Sequence, residues 1–93
     1  MSVTAIASLE PRRRAIVAGE ILSVTSYRRP YPRTEVELDD GSGVMVLRFM
    51  GRGEVPGLTP GLRMRAYGTP GCERDTVVML NPLYCFDRAE RTE

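Results

Sequence analysis

A chain of 93 residues with 13 basic and 12 acidic side chains has room for one small domain with one core, and its net charge of +1 argues against strong nonspecific nucleic-acid binding. It contains no histidine, which excludes every histidine-dependent triad or dyad, and Cys72 and Cys85 lie thirteen positions apart without a CxxC, which supports neither a zinc site nor a redox pair. All 13 basic residues are arginines, and neither GxGxxG nor GxxxxGK[ST] occurs.

No nucleophile and base can be paired, so a binding module rather than an enzyme is expected, with no cofactor and no metal. The two thiols are expected to be reduced and structural, as suits a cytoplasmic protein. No apolar stretch approaches the roughly 18 to 20 residues of a membrane span.

Taken in order, residues 1–13 are expected to be a flexible basic arm, with Arg12 and Arg13 at its end running into Arg14. Glycine or proline then interrupts almost every window of a dozen residues, while the strongest segments are rich in valine, isoleucine, threonine and tyrosine, so strands are predicted throughout. The first spans Arg14 to Tyr27. It is long for a flat strand and contains Gly19, which predicts a bulge and a bend there; the spacing of Ile21 and Val24 also breaks a period of two.

The second strand, "TEVELD", alternates cleanly, and the third is "VMVLRFM". A two-residue loop at Gly41 and Ser42 would pair residues whose numbers sum to 83. That register sets Thr34 against Phe49, Val36 against Leu47 and Leu38 against Met45 on one apolar face. On the other, Glu35 meets Arg48 and Glu37 meets Val46. Positive φ is expected at both Gly41 and Gly43.

"GRGEVPGLTPG" follows, with four glycines and two prolines that leave room for a short turn at most. The fourth strand, "LRMRAYG", should turn Leu62, Met64 and Ala66 inward and Arg63, Arg65 and Tyr67 outward, and the fifth is "TVVML". Residues 87–93 read as a tail. Five short strands without a βαβ pattern predict an all-β domain over residues 14–86, a small antiparallel barrel.

Charge is unevenly spread. Arg12 to Arg33 holds six arginines against Glu20, while Thr34 to Leu47 holds four acids and no base. Such blocks act together only if the fold gathers them, since charges farther apart than about 8 Å are largely screened at physiological salt.

The stretches "GEILSV", "VELDDGSGVMVLRFMG", "LTPGLRMRAYG" and "VVMLNPLY" resemble the successive strands of OB-fold nucleic-acid-binding domains, in style those of the anticodon-binding barrels and the wedge domain of the helicase RecG. The resemblance covers Ala15 to Tyr84. It implies a five-stranded antiparallel Greek-key barrel; this chain departs from the family in that "GRGEVPGLTPG" leaves the usual helix between strands three and four shortened or absent, so Val55 and Leu58 are expected to plug the floor instead. It also implies a groove across strands two and three, flanked by the loop after strand one and the loop between strands four and five.

In this chain the first loop is "YRRPYPR", where Tyr27, Arg28, Arg29, Tyr31 and Arg33 interleave forked donors with stacking rings on a proline-stiffened backbone. The second, "TPGCERD", offers Arg74. Arg48, Arg63, Arg65 and Tyr67 complete the candidate contacts. The expected function is weak binding of single-stranded DNA or RNA, opposed by Glu35, Glu37 and Asp39 on the same face; the alternative is a protein-interaction barrel acting as an adaptor or subunit.

Overall fold

The structure, a computed structural model, describes residues 2–51 and 55–87. Among the described residues a 3-10 turn, Ile6–Ser8, precedes seven strands: β1 (Ala15–Tyr27), β2 (Arg33–Asp39), β3 (Val44–Met50), β4 (Arg63–Gly68), β5 (Pro70–Glu73), β6 (Thr76–Leu80) and β7 (Leu83–Phe86). They form one sheet in the order β5-β6-β3-β2-β1-β4-β7, in which β3 and β6 run parallel and every other pair is antiparallel.

The expected five strands are seven because the fourth continues past Thr69 as β5 and a further strand, β7, follows β6. Residues 69–73 were expected as loop, but only Thr69 separates β4 from β5. The first half pairs with β1 and the second with β6, near opposite ends of the sheet order. Gly68 and Pro70 are at most about 7 Å apart along the chain, so the sheet curls back on itself.

The β2-β3 register is the one the alternation predicts, with Thr34 opposite Phe49, Glu35 opposite Arg48, Val36 opposite Leu47 and Leu38 opposite Met45. Val36, Leu38, Met45 and Leu47 are fully buried and meet Val17, Ile21, Met64 and Met79 in the core. Val55 also joins the core and Leu58 packs against it. The described part of that connector, 55–62, forms turns.

Three local expectations need correction. The bulge in β1 falls at Leu22, where the register with β2 shifts between Ile21 and Ser23; this insertion, not Gly19, resets the period between Ile21 and Val24. Gly19 answers a different need, because a Cβ there would lie 2.5 Å from the carbonyl oxygen of Asp39. Positive φ occurs at Gly41 (89°) and not at Gly43, the pattern of a II′ hairpin turn. Leu62 points outward at 44% exposure, since β4 begins only at Arg63 and the Leu62 carbonyl instead accepts the Ile21 N–H at 2.8 Å.

The segment expected as a loose arm packs on the hairpin turn. Ile6 is buried in the core and the Thr4 N–H donates to the Ile16 carbonyl at 2.8 Å. Asp40 is the clasp: Oδ2 accepts the Ile6 N–H at 2.8 Å, while Oδ1 accepts the Ser42 N–H (2.8 Å), the Ser42 hydroxyl (2.7 Å) and the Gly43 N–H (3.2 Å). Burial works to raise the Asp40 carboxyl, but these four donors outweigh it and hold the group below its ordinary range.

Gly19→Ala is expected to destabilise the fold by about 1 to 3 kcal/mol through overpacking against the β2 backbone. Gly71→Ala, where a Cβ would meet nothing nearer than the Val78 carbonyl oxygen at 3.9 Å, should stay within about 0.5 kcal/mol of the parent in urea denaturation.

A carboxyl lowered on folding stabilises above its unfolded value of about 3.9, and the contribution is lost as pH falls through the folded value. Asp40→Ala should therefore cost about 1 to 2 kcal/mol at pH 7. Denaturation of both proteins across an acid series should show the gap closing below about pH 4.

Candidate nucleic-acid interface

The outer face of β1, β2 and β3 carries the side chains that the core register excludes. Thr25, Glu35 and Arg48 form one cross-strand row, and Tyr27, Arg33 and Met50 form the next. The connector between β1 and β2 therefore rises from the end of this face. β6 lies beside β3, and the β5-β6 turn closes the other side. Over β3 and β6, beside that turn, lies a groove of about 480 Å³ lined by Glu35, Val46, Arg48, Glu73, Arg74, Thr76 and Val78, and Arg33 at the end of the connector touches its Glu35 edge.

Arg33 fastens the connector from within. Its guanidinium carbon lies 4.2 Å from the Tyr27 ring centroid and 5.0 Å from that of Tyr31, within cation-π range of both. Nη1 donates to the carbonyls of Arg29 (3.1 Å) and Tyr31 (3.4 Å), and Nε donates to Glu35 Oε2 at 3.2 Å. With these partners engaged, Arg33 is a support rather than a free donor. Tyr27 and Tyr31 remain exposed at 39% and 41%, and Arg28 and Arg29 are exposed without an ion pair among the described residues.

Arg48 is engaged on both sides. Nε donates to Glu35 Oε2 at 2.8 Å, while Nη1 and Nη2 donate to the two oxygens of Glu73 at 2.9 and 3.1 Å. The fork to Glu73, with that to Glu35, outweighs the cost of burial and holds Arg48 more firmly protonated; the same bonds hold the Glu73 carboxyl below its usual range. Glu35 is thus neutralised by two arginines. Of the other acids expected to repel a ligand, Glu37 accepts the Ser23 hydroxyl at 2.9 Å and Asp39 accepts the Gly41 N–H at 2.8 Å.

Arg74 stands exposed on the opposite wall. It and Asp75 have φ of 47° and 69°, the two positive angles of a I′ turn. Seven of the ten candidates thus belong to this face or its flanking connections: Tyr27, Arg28, Arg29, Tyr31, Arg33, Arg48 and Arg74.

Arg63, Arg65 and Tyr67 do not. They lie on β4 opposite Glu20, Ala18 and Ile16, in the first half of β1, whereas the groove uses the second half. Seven residues along β1 separate the level of Arg63 from Tyr27, about 23 Å at the usual strand rise. Arg65 is also paired with Asp87 at 3.0 Å.

Glu73 is the groove side chain that local sequence patterns do not reveal. The Glu35-Arg48 contact follows from the hairpin register, but Glu73 reaches Arg48 only through the parallel β3-β6 pairing, which no local pattern announces. Among the described residues no group of His, Cys, Asp and Glu could hold a metal ion, and no helix is long and apolar enough to cross a membrane. Both cysteines are free and exposed rather than packed in the core.

No protein-family model matches the chain, and no curated protein matches it in sequence. Solved structures do. The second OB-fold domain of replication protein A from Methanococcus maripaludis superposes with a TM-score of 0.72 at 10% identity, covering 98% of this chain and 100% of that one. A chain of the S. pombe Stn1-Ten1 complex superposes with a TM-score of 0.68 at 19% identity over 83% of this chain, which spans 60% of that chain. Curled all-β architecture and these likenesses together show that the chain has the OB fold.

Proposed function

We propose that the chain is a non-catalytic module that binds single-stranded DNA or RNA weakly along the groove between the 27–33 connector and the β5-β6 turn. The interrupted β4-β5 strand is read as the fourth strand of a five-stranded Greek-key barrel, used in the manner of the anticodon-binding and wedge-domain barrels. The observation that supports the proposal is the pairing of two exposed tyrosines, held in place by Arg33, with exposed Arg28 and Arg29 in the same connector and with Arg74 on the wall of the groove that Glu35 joins to Arg33. Exposed rings stack on bases at about 1 to 3 kcal/mol each, and the free guanidinium groups meet phosphates. The free thiols suit a reducing, cytoplasmic setting.

A second reading, a protein-interaction barrel, draws on the β7 edge. Leu83 is 72% exposed there, beside Tyr67 and Ile16 on the outer wall.

With Arg33 and Arg48 engaged internally, about three arginines remain for phosphates, so the salt slope should be about −2 at roughly −0.7 per contact. Anisotropy titrations of labelled oligothymidylate and oligouridylate of about 15 nucleotides, at several salt concentrations, measure it. Replacing Arg28 and Arg29 together with alanine should flatten the slope to about −0.7 and weaken binding. Affinity indifferent to salt or to that double substitution contradicts the phosphate assignment, and no binding at low salt leaves the protein-interaction reading.

A further inference from the structure

We propose that Arg48 is the phosphate fork at the floor of the groove and that Glu73 occupies it in the free protein, as a carboxylate standing where a ligand phosphate would bind. The inference rests on the nucleic-acid reading above and adds a gate to it.

The two carboxylates on Arg48 are not equivalent. Glu35 sits in the middle of β2, its side chain is 21% exposed, and Arg33 grips it as well at 3.2 Å. Glu73 is the last residue of β5, its side chain is 58% exposed, and Arg48 is its one ion-pair partner among the described residues. Glu35 thus orients the guanidinium through Nε, as a fixed support. Glu73 takes the two outward nitrogens, one oxygen on each.

Two parallel N–H···O bonds to paired oxygens are how arginine binds a phosphate as well as a carboxylate. A strand lying in the groove therefore competes with Glu73 for the same two donors. Glu73 can yield: its side chain is 58% exposed, so swinging outward around the turn completes its hydration while the phosphate takes over its bonds to Arg48. Arg48, with 17% of its side chain exposed, stays where Glu35 holds it. The exchange of one anion for another explains how a neutral floor can serve a phosphate ligand, and why affinity should be low until the carboxylate leaves.

The exchange also sets a distinctive salt behaviour. In the parent protein the phosphate sheds a cation while the freed Glu73 recruits one, so Arg48 adds almost nothing to the slope. Without the carboxylate, Arg48 should add about −0.7.

Glu73→Gln is therefore expected to bind the labelled oligothymidylate about two- to fivefold more tightly than the parent, with a slope steeper by about 0.7. The double variant Glu73→Gln with Arg48→Gln should lose both gains, and circular dichroism checks that each protein is folded. A gain that survives in the double variant means that bulk charge, not the fork, is responsible, and overturns the gate. Parent binding with a slope near −2 but no change in Glu73→Gln overturns the gate and leaves the groove reading standing. Absence of binding by every variant at low salt overturns both.

Discussion

Gly41 and Ser42 reverse the chain in two residues, and every later feature of the outer face depends on that constraint. A two-residue loop fixes facing residues at a sum of 83, which sends Val36, Leu38, Met45 and Leu47 into the core. The same arithmetic leaves Glu35 and Arg48 side by side on the surface. A slip of one residue would exchange the two faces, exposing the apolar set and burying the charges. Asp40 and Ser42 hold the turn from outside, and in doing so bring Ile6 onto the core.

Charge at the groove is organised by local neutralisation. Arg33, Glu35, Arg48 and Glu73 form one continuous chain of contacts from the connector to the β5-β6 turn. Such a chain aligns guanidinium groups at a modest desolvation cost because each remains partly hydrated. It also divides labour among the arginines. Those inside the chain shape the groove, and those outside it, at 28, 29 and 74, face solvent without a partner among the described residues. A near-neutral protein can in this way present a locally basic rim.

How much of this was legible in the sequence depends on whether the determining contact was local. The β2-β3 hairpin was readable to the residue, because strict alternation on both sides of a glycine turn admits one register. In β1 the break in period between Ile21 and Val24 is visible, but residue types point to the glycine rather than to Leu22, since a bulge leaves no mark on residue type. Pro70 and Gly71 hid β5, because both are poor strand formers, and the long-range partner Val78 decides the matter. Ile6 escaped notice for the same reason: one apolar residue has no periodicity, and its burial depends on Asp40, thirty-four positions away. The candidate site divides along the same line. The interleaved tyrosines and arginines of the connector were evident, whereas the separation of Arg63, Arg65 and Tyr67 from the groove follows from which half of β1 pairs with β4.

Backbone amide shifts during a titration with short single-stranded DNA test the central claim most directly, because they locate the ligand on the surface without relying on any substitution. The account predicts that the amides of Tyr27, Arg29, Arg33, Arg48 and Arg74 move together on one saturation curve, while those of Tyr67 and Leu83 stay still. Shifts confined to β4 and β7, with the connector and β3 unmoved, would contradict it.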